Sequence, residues 1–544
     1  MTWDTTLRRP GTVAPDLLAA VDIGSNSFRL EIARFDAGRY ERIETLREAV
    51  RLGCGLDAQG QLSEEAMLRG IACLGSFARQ LEGFAPHQVR AVATQTVREA
   101  RNREEFLRLG AAALGHPIEV ISGREEARLI YAGVAGLSPA PGLRRLVIDI
   151  GGRSTELILG EGATPLVAES FPIGSGSLSM RFFPEGRYTE SAFRAARVAA
   201  GAALEGAAEA FAPGQWTEAL GSSGTASAVS QLLAAHRISD GTITLEGLHW
   251  CIEQCLEAGS ADALSLAGLK ENRRMMLGGG LSILMALFTQ FDLDALRATK
   301  GALRQGVIFE LEERRAASCS PAAGPDLRDE TVRRLQQRFG VDTAQAQRVR
   351  ELALQLHASL EPEPDAGARH ELDWGARLHE LGMAVSHHDH HRHGAYLLSH
   401  LDADGFSQPQ QQRLGLLVLG QRGRLRKVEE ALARPEFVAQ LLALRLAVLL
   451  CHARSAPPAS TLEVRRSGRT VAVSLQPEWI ESHPHTLFLL QEEKACWERT
   501  GLLKLVIKSA RRQAEEPWDG AGPAAATRSQ PRACATDEPL VAAH

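Results

Sequence analysis

The chain has 544 residues, of which 44% are hydrophobic and 23% charged, with a formal net charge of −5. This is the balance of a globular protein large enough for several cores, which excludes a disordered or fibrous chain. The charge gives no global attraction to nucleic acid, so a polyanionic ligand has to be held by local basic patches and backbone N–H groups. Eight cysteines in this length are too few for a disulfide scaffold; Cys251 and Cys255, four apart on an expected helix, read as buried thiols. The first residues carry no apolar segment of a secretory signal. The most apolar stretch, 437–451, is interrupted by Arg445 and is too short to cross a bilayer, so it reads as a core helix. A cytoplasmic enzyme, without membrane insertion and without nucleic acid as a partner, is expected.

Residues 1–16 and 511–544 read as tails, since they lack the apolar periodicity that would offset their ordering entropy. From 17 onward, short apolar strands alternate with helical stretches, the pattern of an α/β fold. The apolar run 18–21 enters Asp22-Ile23-Gly24-Ser25-Asn26-Ser27 and leaves through a second strand at 28–32. The run 146–148 enters Asp149-Ile150-Gly151-Gly152-Arg153-Ser154 and leaves through 156–159. Two such copies, 127 positions apart (Asp22 to Asp149), make an internal duplication. They predict two lobes, 17–140 and 141–315, each offering a hairpin tip to a central cleft. The Pro- and Gly-containing stretch 316–326 marks the main boundary. Residues 326–455 have helical spacing, as in ETVRRLQQRF and AQRVRELALQLHASL. Residues 461–510 read as a small α+β module, with a hairpin turning at Ser467-Gly468, then a helix and the strand LLKLVIK.

Glycine and serine at a hairpin tip let backbone N–H groups converge on a phosphate with no Cβ in the way. Gly24, Ser25, Asn26 and Ser27 form the first such tip; Gly151, Gly152, Arg153, Ser154 and Thr155 form the second. Asp22 and Asp149, at the strand ends, are placed to hold a divalent cation against phosphate oxygens. A third loop, Gly221-Ser222-Ser223-Gly224-Thr225, follows apolar Ala219-Leu220 and reads as another cradle. Ordinary turn chemistry would account for one of these loops. Three in this order, two of them sharing an Asp-Ile-Gly core, point to phosphate.

DIGSNSFRL, ATQTVREARN, ISGREEARLIY, DIGGRSTELILG, GSSGT and KGALRQGV follow one another in the chain. Together with DLRDETVRRLQQRFGVD and LHELGMAVSHHDHHRHGAYLL, this set resembles the exopolyphosphatase / guanosine pentaphosphate phosphohydrolase (Ppx/GppA) family over about residues 17–508. The resemblance implies two duplicated actin-like (ribonuclease H-like) lobes around a cleft, a helical HD-like domain and a small C-terminal α+β module. It also implies a Mg²⁺-dependent phosphoanhydride hydrolase and a homodimer. Glu126 of ISGREEA would be the general base that activates water, as in-line hydrolysis at phosphorus requires; the sequence does not separate it from Glu125. Arg98 and Arg273 match the family's phosphate-binding arginines, although Arg274 stands beside the second. Glu156 matches a cleft carboxylate that helps Asp22 and Asp149 hold the metal.

Some positions depart from the family pattern. Arg153 stands where a glycine is usual; it aligns with Asn26 of the first copy, so the turn tolerates a side chain and activity is expected to survive. Lys300 stands where an acidic residue is common. In the HD-like region the dyad position reads His379-Glu380, so structural or anion-binding use of the histidine-rich run 387–393 is favoured over a metal site. Arg392, Arg422, Arg424, Arg426 and Lys427 offer either a path for a long anion or a solvated basic face. Exopolyphosphatase is the leading reading. The alternatives are guanosine pentaphosphate hydrolysis, a non-catalytic alarmone- or nucleotide-binding regulator, and a sugar or acetate kinase.

Overall fold

The computed structural model describes residues 16–36, 38–57, 59–319, 326–362, 365–458 and 461–509. Apart from Asp16, the two expected tails lie outside the described residues. The first lobe is built on β1 (Leu17–Ile23), β2 (Phe28–Asp36), β3 (Arg39–Glu48), β4 (Val89–Ala93) and β5 (Ile118–Val120), in the order β3-β2-β1-β4-β5. The second is built on β6 (Arg144–Ile150), β7 (Thr155–Glu161), β8 (Thr164–Phe171), β9 (Glu218–Ser222) and β10 (Arg297–Ala298), in the order β8-β7-β6-β9-β10. Strand for strand these are the same sheet. In each, three strands form an antiparallel meander, the fourth runs parallel to the first and the fifth parallel to the fourth.

The duplication extends to register. Asp22 lies opposite Arg29 in the first hairpin, and Asp149 lies opposite Glu156 in the second. β1, β6 and β7 are buried along almost their whole length, which explains their near-continuous apolar sequences.

Two helices between the lobes approach backbone to backbone, which explains the glycines of KGALRQG. A Cβ on Gly306 would lie 1.8 Å from the Leu129 carbonyl oxygen, and one on Gly133 would lie 2.2 Å from that of Ala302. The helix Gly123–Leu137, which carries Glu126, is thereby pressed against the helix Leu303–Cys319. The latter runs beyond Ala316, where the break was expected to begin, because Ala316-Ala317-Ser318 are compatible with a helix. The next helix, Leu327–Arg338, is capped by Asp326.

The helical region continues through Thr343–Leu360, Ala366–Arg377, His390–His400, Gln408–Gly420 and Pro435–Leu450. The last is buried throughout its apolar length. Its Arg445 is neutralised by Glu493, with Nε and Nη2 each 2.6 Å from a carboxylate oxygen. Glu493 belongs to the terminal module, where β11 (Leu462–Ser467), β12 (Thr470–Leu475) and β13 (Lys504–Ser509) form a three-stranded sheet. The hairpin turns at Gly468, whose φ of +59° favours glycine. The module and the helices share one apolar core, so they pack as one body. Cys251 and Cys255 are buried, and burial pushes the Cys251 thiol up to about 12, so it is inert at neutral pH. Among the described residues no helix is long and apolar enough to cross a membrane.

Candidate active site

The hairpin tips face each other across the cleft. A Cβ on Gly24 would stand 3.0 Å from the Ser27 carbonyl oxygen, and one on Gly151 would stand 3.2 Å from that of Ser154. The two turns therefore need glycine at the same place for the same reason. A Cβ on Gly152 would be 3.4 Å from Ser25 Cβ, so the tips almost touch. The third loop enters the helix Ser223–Ala235 through Ser223, whose φ of +70° is rare for a residue with a side chain. Strain of this kind persists where surrounding structure enforces it, commonly at functional sites.

These turns wall a cavity of about 120 Å³, lined also by Asp22, Asp149, Glu126, Arg29, Arg273 and Arg304. Glu126 lies in the first turn of its helix, which Ser122 caps by accepting from the Glu125 N–H at 3.1 Å. Burial pushes the Glu126 carboxyl up to about 7; Arg98, 3.4 and 3.5 Å away, opposes this, and Asp22 and Asp149 add to it. Arg98 does not line the cavity. It donates to the Ile121 carbonyl at 2.6 Å and braces Glu126 from behind.

Glu125, about 100° further round the helix, turns away from the cavity. Its carboxylate accepts two hydrogen bonds of 2.8 Å from Arg128 and one of 3.0 Å from the Gly405 N–H.

Burial raises the carboxyl pKa of both Asp22 and Asp149. Glu156, raised well above its ordinary value by burial and then by Glu126 and Asp149, accepts from Ser170 Oγ at 2.8 Å. Among the described residues no three His, Cys, Asp or Glu side chains form a ready-made metal cage. The guanidinium of Arg273 lies against Gly224, where a Cβ would come within 1.9 Å of Nη2. Burial, then Arg47 and Arg29, bring Arg273 down to about 10.

Several residues singled out in the sequence lie behind this wall. Thr155 donates its hydroxyl to the Ile173 carbonyl at 2.7 Å. Thr225 Oγ1 and Ser223 Oγ both donate to the Ile150 carbonyl, at 3.0 and 2.9 Å, although Ser223 still lines the cavity. Gly221 sits within β9 against Ala226 and Leu296. Arg153 leaves the second tip to ion-pair with Glu99. In the helical region, His379 Nδ1 lies 2.7 Å from the Ala376 carbonyl, and Glu380 is paired with Arg454 at 2.7 Å.

Sequence reading did not single out Arg29 and Arg304, which line the cavity, or Arg47 close to them. Arg29 and Arg47 lie directly opposite each other on β2 and β3. Burial and then Arg304 bring Arg29 down to about 10, and the same two causes lower Arg47. Arg304 lies 3.5 Å from Asp22. Like charges directly opposite on a sheet are destabilising; such a pair, with Arg273 and Arg304 near by, concentrates positive charge that an anion would relieve. The available signal was Arg29 inside the apolar strand FRLEI, and the fixed place of Arg304 in KGALRQG.

The family model described as the Ppx/GppA phosphatase family matches residues 31–315, and that described as Ppx/GppA phosphatase, domain III matches residues 327–494. The chain belongs to the Ppx/GppA phosphatase family. Among solved structures, an exopolyphosphatase from Cytophaga hutchinsonii is 26% identical, with a TM-score of 0.50, over 54% of this chain and 98% of its own. The Aquifex aeolicus Ppx/GppA enzyme is also 26% identical, with a TM-score of 0.46, over 54% of this chain and 98% of its own. The phosphatase class of this Ppx/GppA protein follows from the family models, and its actin-like duplicated fold from the family and the paired sheets above.

Proposed function

We propose that this Ppx/GppA protein is an exopolyphosphatase, removing terminal phosphate from inorganic polyphosphate in the cleft between the lobes. The observation that carries the reading is Glu126: a buried carboxylate, titrating near neutrality, in a cavity walled by two glycine-serine tips and an arginine cluster. Glu126 accepts a proton from water as the oxygen bonds to the terminal phosphorus. The bridging P–O bond breaks, and its electron pair leaves on the shortened chain. Backbone N–H groups of Gly24, Ser25, Asn26, Gly152 and Ser154, with Arg273, stabilise the spreading negative charge.

Mg²⁺ fits the donor set. Asp149 and Glu156 are buried and Asp22 is partly buried; burial raises the pKa of all three, Asp22 adds to the rise at Asp149 and Asp149 to that at Glu156, and a cation relieves that repulsion. Because they do not cage an ion by themselves, they suit a metal that keeps waters and phosphate oxygens as ligands. When bound, Mg²⁺ would supply charge neutralisation at the phosphate oxygens.

Guanosine pentaphosphate would use the same chemistry with a nucleoside to place. The cavity is lined by glycines, serines and the guanidinium groups of Arg29, Arg273 and Arg304, a lining that suits a bare polyanion. The test is phosphate release from long-chain polyphosphate with Mg²⁺, comparing wild type with Glu126→Gln. Release is expected to fall by about 10²- to 10⁴-fold in the variant. An unchanged rate would remove Glu126 from the mechanism, and a strong preference for guanosine pentaphosphate over polyphosphate would overturn the substrate.

A further inference from the structure

The first turn of the Glu126 helix is gripped by a different part of the chain. The loop between the helices His390–His400 and Gln408–Gly420 reaches the lobes, and its Gly405 N–H donates to Glu125 Oε2 at 3.0 Å. Asp402 of the same loop lies 3.2 Å from Arg124 Nη1. Arg124 in turn holds Glu169 on β8, with contacts of 3.2 and 2.7 Å. The helix Gln408–Gly420 packs on β5, the strand that leads directly into Ser122 and the Glu126 helix.

From these contacts we infer that the helical domain sets the position of the catalytic base. The loop 402–405 clamps the first helical turn, and Glu125 is the positioning residue through which it acts. The inference rests on Glu126 being the base, as proposed above.

Glu125 is suited to transmit position because it is fully enclosed and tied from the other side as well. Its carboxylate is held by Arg128, which also pairs with Glu310 on the helix Leu303–Cys319. Arg90 Nη1 donates to Glu310 at 3.0 Å, while Arg90 Nη2 is buried without a hydrogen-bond partner, 4.0 Å from Glu125 Oε1. The Gly405 N–H thus completes a buried charge network that a loose loop would leave short of a donor. Breaking such a network at one member is costly, so the network favours one position of the turn. Glu126 is the next residue on that turn, and a general base works only within hydrogen-bond reach of its water. The loop itself tolerates little change: Gly405 has a φ of +80°, and a Cβ there would be 3.0 Å from Arg328 Cγ.

The experiment measures kcat and KM separately for the full-length chain on long-chain polyphosphate with Mg²⁺. It is paired with hydrogen exchange of residues 122–128. Gly405→Ala displaces the loop without altering any lobe residue. It is expected to lower kcat by about ten-fold or more, since small displacements of reacting groups are that costly, while KM stays within about two-fold. Exchange at 122–128 should quicken while that of β1 and β6 does not change. Glu125→Gln, which loosens the same network from the Arg128 side as well, should show the same split, and the double variant should lose less than the product of the two single losses. A folded Gly405→Ala with wild-type kcat, or a loss confined to KM, overturns the clamp. Should Gly405→Ala fail to fold, the kcat–KM split of Glu125→Gln decides. Glu126→Gln run in parallel separates the two ideas: retained activity there sinks the base, whereas its loss beside a normal Gly405→Ala sinks only the clamp.

Discussion

Arg153 of the second hairpin tip crosses the cleft to Glu99, with Nε and Nη2 lying 3.1 and 2.9 Å from the same carboxylate oxygen, Oε2. Its Nη1 also donates to the Gly53 carbonyl at 3.4 Å. Gly53 and Arg51 donate their backbone N–H groups to Ser25 and Asn26 of the first tip. The arginine that replaces the usual glycine therefore ties one phosphate loop to the neighbourhood of the other.

Because the pair is partly exposed, Arg153→Gly should cost less than ~1 kcal/mol of stability. It removes a positive charge and leaves Glu99 bare near the tips, so KM for polyphosphate should rise a few-fold with kcat nearly unchanged. Adding Glu99→Gln should restore KM. Steady-state kinetics and thermal melts of the three variants check this; a kcat collapse in Arg153→Gly would mean the arginine touches the reacting phosphate.

Gly224 and Arg273 make a second pair that can be tested by adding atoms rather than removing them. An alanine methyl at 224 would occupy the place of the guanidinium, since the built Cβ lies 1.9 Å from Nη2. If Arg273 holds phosphate, Gly224→Ala and Arg273→Ala should be equivalent. Each should raise KM by about ten- to a hundred-fold, the worth of one charge-assisted hydrogen bond. A wild-type KM for folded Gly224→Ala would remove Arg273 from substrate binding.

The parts of this molecule that were legible in its sequence are those written as local pattern. The Asp-Ile-Gly duplication foretold two sheets of one topology, and the glycine tips marked which ends of them meet. Side-chain direction was not legible. Nothing local says that Glu126 turns into the cleft and Glu125 out of it, because the deciding partners, Arg128 and Gly405, include one 280 positions away. Arg29 and Arg47 escaped notice for the same reason: their opposition exists only once β2 and β3 pair. Thr155, Thr225 and Gly221 carry the right chemistry for phosphate, yet sheet pairing commits Thr155 and Gly221 to the layer behind the wall, and the Ile150 carbonyl takes the Thr225 hydroxyl.

The Glu126 carboxyl, pushed up to about 7 mainly by burial, sets the pH dependence. If Glu126 is the base, only its ionised form accepts water's proton, so kcat should rise with pH through the Glu126 pKa and level off above it, with Mg²⁺ beside Asp22 and Asp149 bringing that pKa below its metal-free value. Arg98 opposes the rise in pKa, so Arg98→Gln should move this acid limb to higher pH. A pH–rate profile of both proteins checks the direction, and an acid limb that moves down or stays put would show that Arg98 does not act on the base.

The same carboxylates make the fold's stability depend on pH and on cations. Glu126 rises from an ordinary value of 4.5 to about 7, and Asp22, Asp149 and Glu156 are raised as well. A carboxyl whose folded pKa is raised favours the folded state most when protonated. That stability is fully present below the ordinary carboxylate range and is lost as pH rises through the folded pKa. Without metal, the chain should therefore melt at lower temperature at about pH 8 than at about pH 5, through this cluster's contribution. Mg²⁺ should raise the melting temperature more at the higher pH than at the lower, where a larger share of these raised carboxyls is protonated. Asp22→Asn combined with Asp149→Asn removes two of the repelling charges and two ligands at once. It should raise the metal-free melting temperature at the higher pH while abolishing the Mg²⁺ shift. A full Mg²⁺ shift in that double variant would place the cation elsewhere in the molecule.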